Sequence, residues 1–247
     1  MPNASPAFTG LPTLYGADPY QQDTTKKMPL GSIAYAFGGY KAFRYGRNNA
    51  STAAVAGNVQ TMAAIEANHA NQFVDVSAAI NATKVTVNLG ATAAAADLYA
   101  EGEFCVNDDT GEGISYRVQG HAAIASSGTG VIVLAEPLQV ALTLDVSEFT
   151  LKRNLWDRFV IGGDQTLQVA GVANKAIAVD LYAWLQTRGL ASVLADETIA
   201  VGSAVVIGGT LDGSVETMDT DDILQQVGIA TQAGVDTEHR LVYLTID

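Results

Sequence analysis

"YAWLQTRGLASVLADETIAVGSAVV", Tyr182–Val206, is the stretch of sequence that decides the fold. The run Tyr182–Leu194 holds one charged residue, Arg188, which Gly189 follows at once. Short apolar segments separated by Gly or Asp are typical of β-strands, and more such segments follow at regular spacing up to Asp247. The pattern therefore predicts a small C-terminal β-barrel or sandwich domain over residues 161–247.

The middle of the chain also carries β signals. In "KVTVNLG", Val85, Val87 and Leu89 alternate with polar residues, which predicts a strand with one solvated face. The stretch "EGEFCVNDDTGEGISYRVQGH" has two alternating runs around a turn rich in Asp and Gly, which predicts a hairpin with Cys105 facing inward. Helical signals are limited to a turn or two near residues 53–71 and 219–227. We predict a β-rich domain over 41–160 and a mainly β protein overall.

The N-terminal 40 residues differ from the rest in composition. They contain five of the six prolines and no periodic apolar pattern, which predicts an extended arm over 1–40. Unlike a purely disordered tail, this arm carries aromatic residues that could anchor it to another surface. The candidate anchors are Phe8, Tyr15, Tyr20, Tyr35 and Phe37.

Charge is distributed unevenly along a chain whose net charge is −13. Residues 1–50 hold five of the 13 bases, among them Lys26, Lys27 and Arg44, but only two of the 26 acids. A basic leader on an acidic body suits contact with an acidic surface of another protein. Nucleic acid is not expected as a partner, because phosphates need clustered Lys and Arg. No apolar run is long enough to span a bilayer and the N-terminus has no signal-peptide pattern, so no membrane partner is expected either.

The sequence offers no pattern typical of catalysis or of a cofactor. The three histidines are far apart, and none lies at metal-ligand spacing from another ligand. No serine lies in a nucleophile elbow. Two acidic stretches, 107–113 and 216–222, could supply oxygen ligands to calcium, but neither follows the known loop pattern and solvated turns are the simpler interpretation. We predict that the chain is not an enzyme and has no catalytic, cofactor-binding or metal-binding residues.

A resemblance extends over most of the chain. It is carried by "YGADPYQQDTTKKMPLGS", "AFRYGR" followed by "AVAGNVQ", "LYAEGEFCVNDDTGEGISYRVQGH" with "VIVLAEPLQVALTLDVSEFTL", and "YAWLQTRGLASVLAD" followed by "VGSAVVIGG" and "LVYLTID". In this pattern the chain resembles the head decoration, or capsid cement, proteins of tailed bacteriophages. The short trimeric members of that family correspond only to the C-terminal third, so the first 150 residues are additional.

The resemblance implies a virion structural protein without substrate or cofactor. It implies a homotrimer on the outer surface of an icosahedral capsid, assembled in the host cytoplasm, that stabilises the shell by binding across subunits of the major capsid protein. Candidate contacts with the capsid or a sister subunit are then Tyr15, Tyr20, Lys26, Lys27, Tyr35, Phe37, Arg44 and Arg188. We expect Arg188 to cap the end of a barrel strand or to pair with an acid of a neighbouring copy. The alternatives are a head fibre or host-attachment module and, with less support, a carbohydrate-active enzyme.

Overall fold

The computed structural model describes residues 13–16, 18–220 and 224–247. These residues form an almost entirely β protein, as the sequence predicts. The strands of the first half are β1 (Thr13–Leu14), β2 (Gln22–Asp23), β3 (Ile33–Ala36), β4 (Lys41–Asn48), β5 (Val59–Thr61), β6 (Gln72–Val76), β7 (Lys84–Asn88), β8 (Glu103–Asp108) and β9 (Ile114–His121). Those of the second half are β10 (Thr129–Leu134), β11 (Glu148–Lys152), β12 (Asp157–Ile161), β13 (Val169–Ala173), β14 (Tyr182–Leu194), β15 (Ala204–Ile207), β16 (Val215–Thr217), β17 (Gly228–Ala230) and β18 (His239–Thr245).

Helical structure in the described residues is limited to short 3-10 turns, at Asp18–Tyr20, Phe37–Gly39 and Ala67–His69. The last of these lies in the alanine-rich stretch for which a turn or two was predicted. No helix in the described residues is both long enough and apolar enough to cross a bilayer.

The chain divides into two compact units. The first, which we call the discontinuous unit, takes the described residues up to Ala63 together with Trp156–Asp247; the second, the inserted unit, is Ala64–Leu155. This division differs from the predicted domains 41–160 and 161–247. The reason is that β5, before the insertion, pairs with β12 and β13, which follow it. Local patterning identifies strands but does not identify partners so distant in sequence.

The inserted unit is a closed barrel with the strand order β10-β7-β6-β11-β8-β9. As predicted, Val85, Val87 and Leu89 are fully buried in its core. The rings of Phe104 and Phe149 stack there with their centroids 5.0 Å apart. The hairpin predicted around 107–113 is β8 and β9, paired antiparallel.

Two predictions for the inserted unit are wrong. Phe104 and Val106 are the buried residues of β8, so strand alternation places Cys105 on the opposite, half-buried face. The stretch "GVIVLAEPLQVAL", in which apolar runs on both sides of Pro137 predict a strand pair, instead forms a single strand, β10, and one bridge between Leu142 and Ala78.

In the discontinuous unit, β14 is shared between two rings of strands. Its first half pairs with β4 on one edge and β13 on the other, and these pairings close a ring in the order β4-β12-β5-β13-β14. Its second half pairs with β18, which continues through β17 and β15 to β16. A bridge between Val215 and Ala195 brings this second ring back to the end of β14. The core of the second ring includes Val193, Val205 and Leu244, all fully buried.

One local element recurs throughout both units. It is a β-turn whose third residue has positive φ, the position where type II turns favour Gly, Asn or Asp. Eight such turns lie in four pairs, and in each pair the residue before one turn is hydrogen-bonded to the residue before the other. The positive-φ residues are Gly57 with Asp180, Asn81 with Asp145, Asp97 with Ser127, and Gly202 with Thr237.

The described part of the predicted N-terminal arm belongs to the sheet of the discontinuous unit. β1 pairs with β3, β3 with β4, and β2 with the start of β14. Leu14 is part of a core cluster with Tyr45 and Trp184. The Tyr45 hydroxyl donates to an Asp23 carboxylate oxygen at 3.1 Å and accepts from the Lys27 backbone N–H at 3.3 Å, and burial raises its pKa. From Thr13 onward the chain therefore differs from an extended arm; residues 1–12 lie outside the described residues.

Candidate interaction surface

β14 changes its neighbour at Arg188. Arg188 is opposite both Ala42 at the start of β4 and Thr245 at the end of β18. The register with β4 shifts between Gln186 and Arg188, so Thr187 is an extra residue, as in a β-bulge. Arg188 therefore lies within a strand with its side chain exposed, and the prediction that it caps a strand end is wrong.

The side chain of Gln186 supports this bulge from inside. It is fully buried, and its Nε2 donates to the carbonyl oxygens of Arg188 at 3.0 Å, Gly189 at 3.2 Å and Leu190 at 3.0 Å. Its Oε1 accepts from Asn174 Nδ2 at 2.9 Å and from Lys41 Nζ at 3.4 Å. A buried polar group is costly unless it is hydrogen-bonded, and here one amide donates to carbonyl oxygens at the point where β14 stops pairing with β4.

Gly189 is needed for the same geometry. Its φ is +85°, and a Cβ at this position would lie 2.5 Å from the carbonyl oxygen of Tyr40. Only glycine allows the turn that contains Tyr40 to approach the strand so closely. The pair Arg188–Gly189 thus marks the place where the segment Phe37–Lys41 packs on β14.

An exposed apolar surface surrounds this place, which we call the β14/β18 face. Leu241 is 42 % exposed on β18, and Ile229 of β17 is exposed opposite the half-buried Tyr243. Phe37 and Tyr40 border the face, at 61 % and 45 % exposure. The face consists of Phe37, Tyr40, Lys41, Arg188, Leu190, Ser192, Ile229, Leu241 and Tyr243.

Ring contacts connect the border of the face to its strands. The rings of Tyr40 and Tyr243 meet edge to face, with centroids 6.5 Å apart. Lys41 Nζ lies 5.9 Å from the centroid of the Phe37 ring, within the range of a cation–π contact. The aromatic side chains are thus exposed to solvent while their positions are fixed by neighbours.

A groove of about 460 Å³ runs along one side of the face. Its apolar walls include Tyr20, Leu190 and Leu241, and its polar groups include Lys41 and His239. The remaining lining residues are Ala56, Gly57, Asn174, Ala191 and Ser192. Lys41 is half-buried here, and its desolvation lowers the pKa of the ammonium group.

The structure brings together three of the eight predicted contact residues: Tyr20, Phe37 and Arg188 lie on or beside the face. Tyr15, Lys26 and Lys27 are exposed but are not among its residues, and Tyr35 is a half-buried member of β3.

The Arg44 side chain is engaged in contacts within the chain. It makes two hydrogen bonds to the Asp247 carboxylate, at 2.8 and 3.1 Å, and donates to the Gly31 carbonyl at 2.8 Å. Its guanidinium also lies 5.0 Å from the centroid of the Trp156 ring.

Sequence reasoning missed Tyr40, Lys41, Leu241 and Tyr243. A usable signal was present in "HRLVYLT". Buried Val242 and Leu244 alternate there with Leu241 and Tyr243, so both faces of the strand carry large apolar groups. A strand with one solvated face should instead alternate apolar with polar.

A buried polar network in the inserted unit was also missed. His69 is fully buried; its Nδ1 contacts the Tyr99 hydroxyl and its Nε2 lies 2.7 Å from the Thr92 carbonyl oxygen. The backbone N–H of Tyr99 donates to His121 Nε2 at 3.2 Å. Burial raises the pKa of Tyr99 to about 12. Each of these groups has a hydrogen-bonding partner, which is the arrangement that stabilises a buried polar cluster.

The remaining polar features give no metal centre in the described residues, where no three His, Cys, Asp or Glu side chains are grouped closely enough to hold an ion. The stretch 107–113 forms the turn between β8 and β9, and the other acidic stretch extends to Asp221 and Asp222, outside the described residues. His239 is the exposed first residue of β18.

Comparison with known proteins found no matching family model, no matching curated protein and no matching solved structure.

Proposed function

We propose that this chain is a virion structural protein that decorates the outside of an icosahedral phage capsid and stabilises it by binding across major capsid protein subunits. The observation that carries the proposal is the β14/β18 face. It is an exposed aromatic and aliphatic surface on a sheet whose strand β14 is supported by hydrogen bonds from the buried Gln186 side chain. Large exposed apolar patches mark sites where proteins bind other proteins. The resemblance to capsid cement proteins supplies the identity of the partner and the proposed homotrimeric state.

The energetics of such a face fit a binding role. Each large apolar side chain that a partner encloses contributes about 1.5–3 kcal/mol, against which stand the costs of association. Several copies joined in a trimer would bind with greater avidity than one copy alone. Binding only to the assembled shell then stabilises that shell by mass action. The rigid bulge at Gln186 lowers the entropic cost, because the face is ordered before it binds.

The decisive experiment compares virions assembled with and without this chain. We expect the chain to sediment with complete particles, electron microscopy to locate it on the outer shell surface, and particles without it to release DNA at a lower temperature. A chain found only at the tail, or absent from purified particles, would refute the proposal.

Matched variants connect the function to the face. Phe37→Ser should weaken binding to undecorated particles at least tenfold, whereas Ile80→Ser should leave it unchanged. Ile80 is a suitable control because its exposure, 57 %, is close to the 61 % of Phe37, while it lies in the inserted unit. Equal binding by both variants would show that the face is not the capsid contact.

The contribution of the predicted N-terminal arm to binding can be tested only with a short deletion. Removing residues 1–40 would remove β3 and the core residue Leu14, so loss of binding could reflect unfolding. Deleting residues 1–12 leaves every described strand in place. If the arm contacts the capsid or a sister copy, this shorter deletion should weaken binding while the urea midpoint of unfolding stays constant.

A further inference from the structure

Lys41 is a cation without an anionic partner in the described part of the chain. Its Nζ is near one oxygen, Gln186 Oε1, at the long distance of 3.4 Å. None of the ion pairs between described residues involves Lys41, and burial is the cause of its lowered pKa. Taking an ammonium group partly out of water without a carboxylate carries a free-energy cost.

Gln186 cannot turn to serve Lys41 better. Its Nε2 is held by three backbone carbonyls, and its Oε1 already accepts from Asn174 at the shorter distance of 2.9 Å. Rotating the amide would break the bonds that satisfy the bulge. The lysine therefore remains at the groove with unused hydrogen-bond donors.

The β14/β18 face and the groove beside Lys41 carry positive but no negative side chains. Arg188 is exposed on the same face and forms no ion pair with a described residue. No Asp or Glu is among the residues of the β14/β18 face or the lining of the groove. Acids outnumber bases 26 to 13 in the whole chain, so a face with two cations and no acid stands apart from the rest.

We propose that the groove beside Lys41 binds an acidic, extended segment of the partner protein. One carboxylate of that segment pairs with the Lys41 ammonium, a second lies near Arg188, and an apolar side chain between them packs against Leu190 and Leu241. The partner class follows from charge complementarity and from the apolar walls. This inference rests on the proposed function, because it specifies which part of the capsid protein the face would recognise.

The experiment uses the full chain and two blocked pentapeptides. The acidic probe is acetyl-Leu-Glu-Phe-Asp-Leu-amide, and the neutral probe replaces Glu by Gln and Asp by Asn. Amide shifts of isotope-labelled protein should move at Leu190, Ser192 and Leu241 with the acidic probe and much less with the neutral one. Added salt should weaken the acidic probe, since it screens exposed charges.

Three lysine variants test the charge contact. Lys41→Met should reduce affinity for the acidic probe at least tenfold, and Lys41→Arg should restore most of it. Lys84→Met, which removes an exposed lysine of the inserted unit, should have no effect. The unfolding midpoint of Lys41→Met verifies that the variant is folded. Equal affinity for both probes, or full affinity in Lys41→Met, would overturn the inference.

Two further outcomes are distinguishable. If the protein alone self-associates through this face, seen by sedimentation and abolished in Lys41→Met, the occupant is a second copy and the inference is wrong. If the chain binds capsids but not the acidic probe, the proposed function stands and the inference fails. If it binds the probe but no capsid, the recognition chemistry stands and the capsid role fails.

Discussion

Replacing Gln186 tests whether a single buried amide holds β14 in the shape that presents the face. Gln186→Met keeps the side-chain volume but removes both N–H donors. Three backbone carbonyl oxygens then lose the side-chain donor to which they are hydrogen-bonded. A buried group left without its hydrogen bond costs about 1–3 kcal/mol. Since the amide has two hydrogens, two such losses give an expected decrease of about 2–6 kcal/mol in the free energy of unfolding.

The assay is urea denaturation followed by tryptophan fluorescence. Both tryptophans, Trp156 and Trp184, lie in the discontinuous unit, so the signal reports on the unit that contains the change. Gln186→Glu should also lower the free energy of unfolding, because a carboxylate cannot donate to these carbonyl oxygens. Gln232→Met, at an exposed position, should change stability by less than about 0.5 kcal/mol. A Gln186→Met variant as stable as wild type would refute the reasoning.

Three other changes give separate expectations. Gly189→Ala should lower the free energy of unfolding by more than about 1 kcal/mol, because φ is +85° and the new Cβ would clash with the Tyr40 carbonyl; urea midpoints measure this, and an unchanged midpoint would contradict it. Burial alone would raise the pKa of Asp247, but hydrogen bonds from Arg44 lower it. The ionised carboxylate therefore stabilises the fold at pH values above its unfolded pKa, and this contribution is lost as the pH falls through the folded pKa. The stability difference between wild type and Arg44→Met should therefore be present at neutral pH and shrink in acid; a constant difference would argue against the ion pair. Tyr99→Phe should destabilise the inserted unit by about 1–3 kcal/mol, seen by circular dichroism, while the tryptophan-reported transition stays in place.

The strands were predictable because their signal is local. Val85, Val87 and Leu89 alternate with polar residues over one short run, and the structure buries all three. The same logic failed for Cys105, since Phe104 and Val106 are larger apolar residues in the same strand and they occupy the inward face. Where a strand offers two possible apolar faces, alternation alone leaves the choice open.

The pairing of strands was not predictable from the same patterns. Residues 13–40 read as an arm because Pro and Gly interrupt every run. Their strands are only two to four residues long and depend on β4 and β14 for partners. The face was missed for a related reason: Lys41 and Leu241 are 200 positions apart in sequence and line one groove only because β14 pairs with β18 beside the start of β4.

The inserted unit enters and leaves the chain next to neighbouring strands. β5 ends at Thr61 and β12 begins at Asp157, and the two strands pair antiparallel, with Thr61 opposite Val160. Two antiparallel neighbours are the arrangement that a short loop can join. The discontinuous unit is therefore a natural acceptor scaffold: residues 64–155 could be excised or exchanged for another folded cargo, such as an antigen for display, with the connection between β5 and β12 serving as the cloning junction.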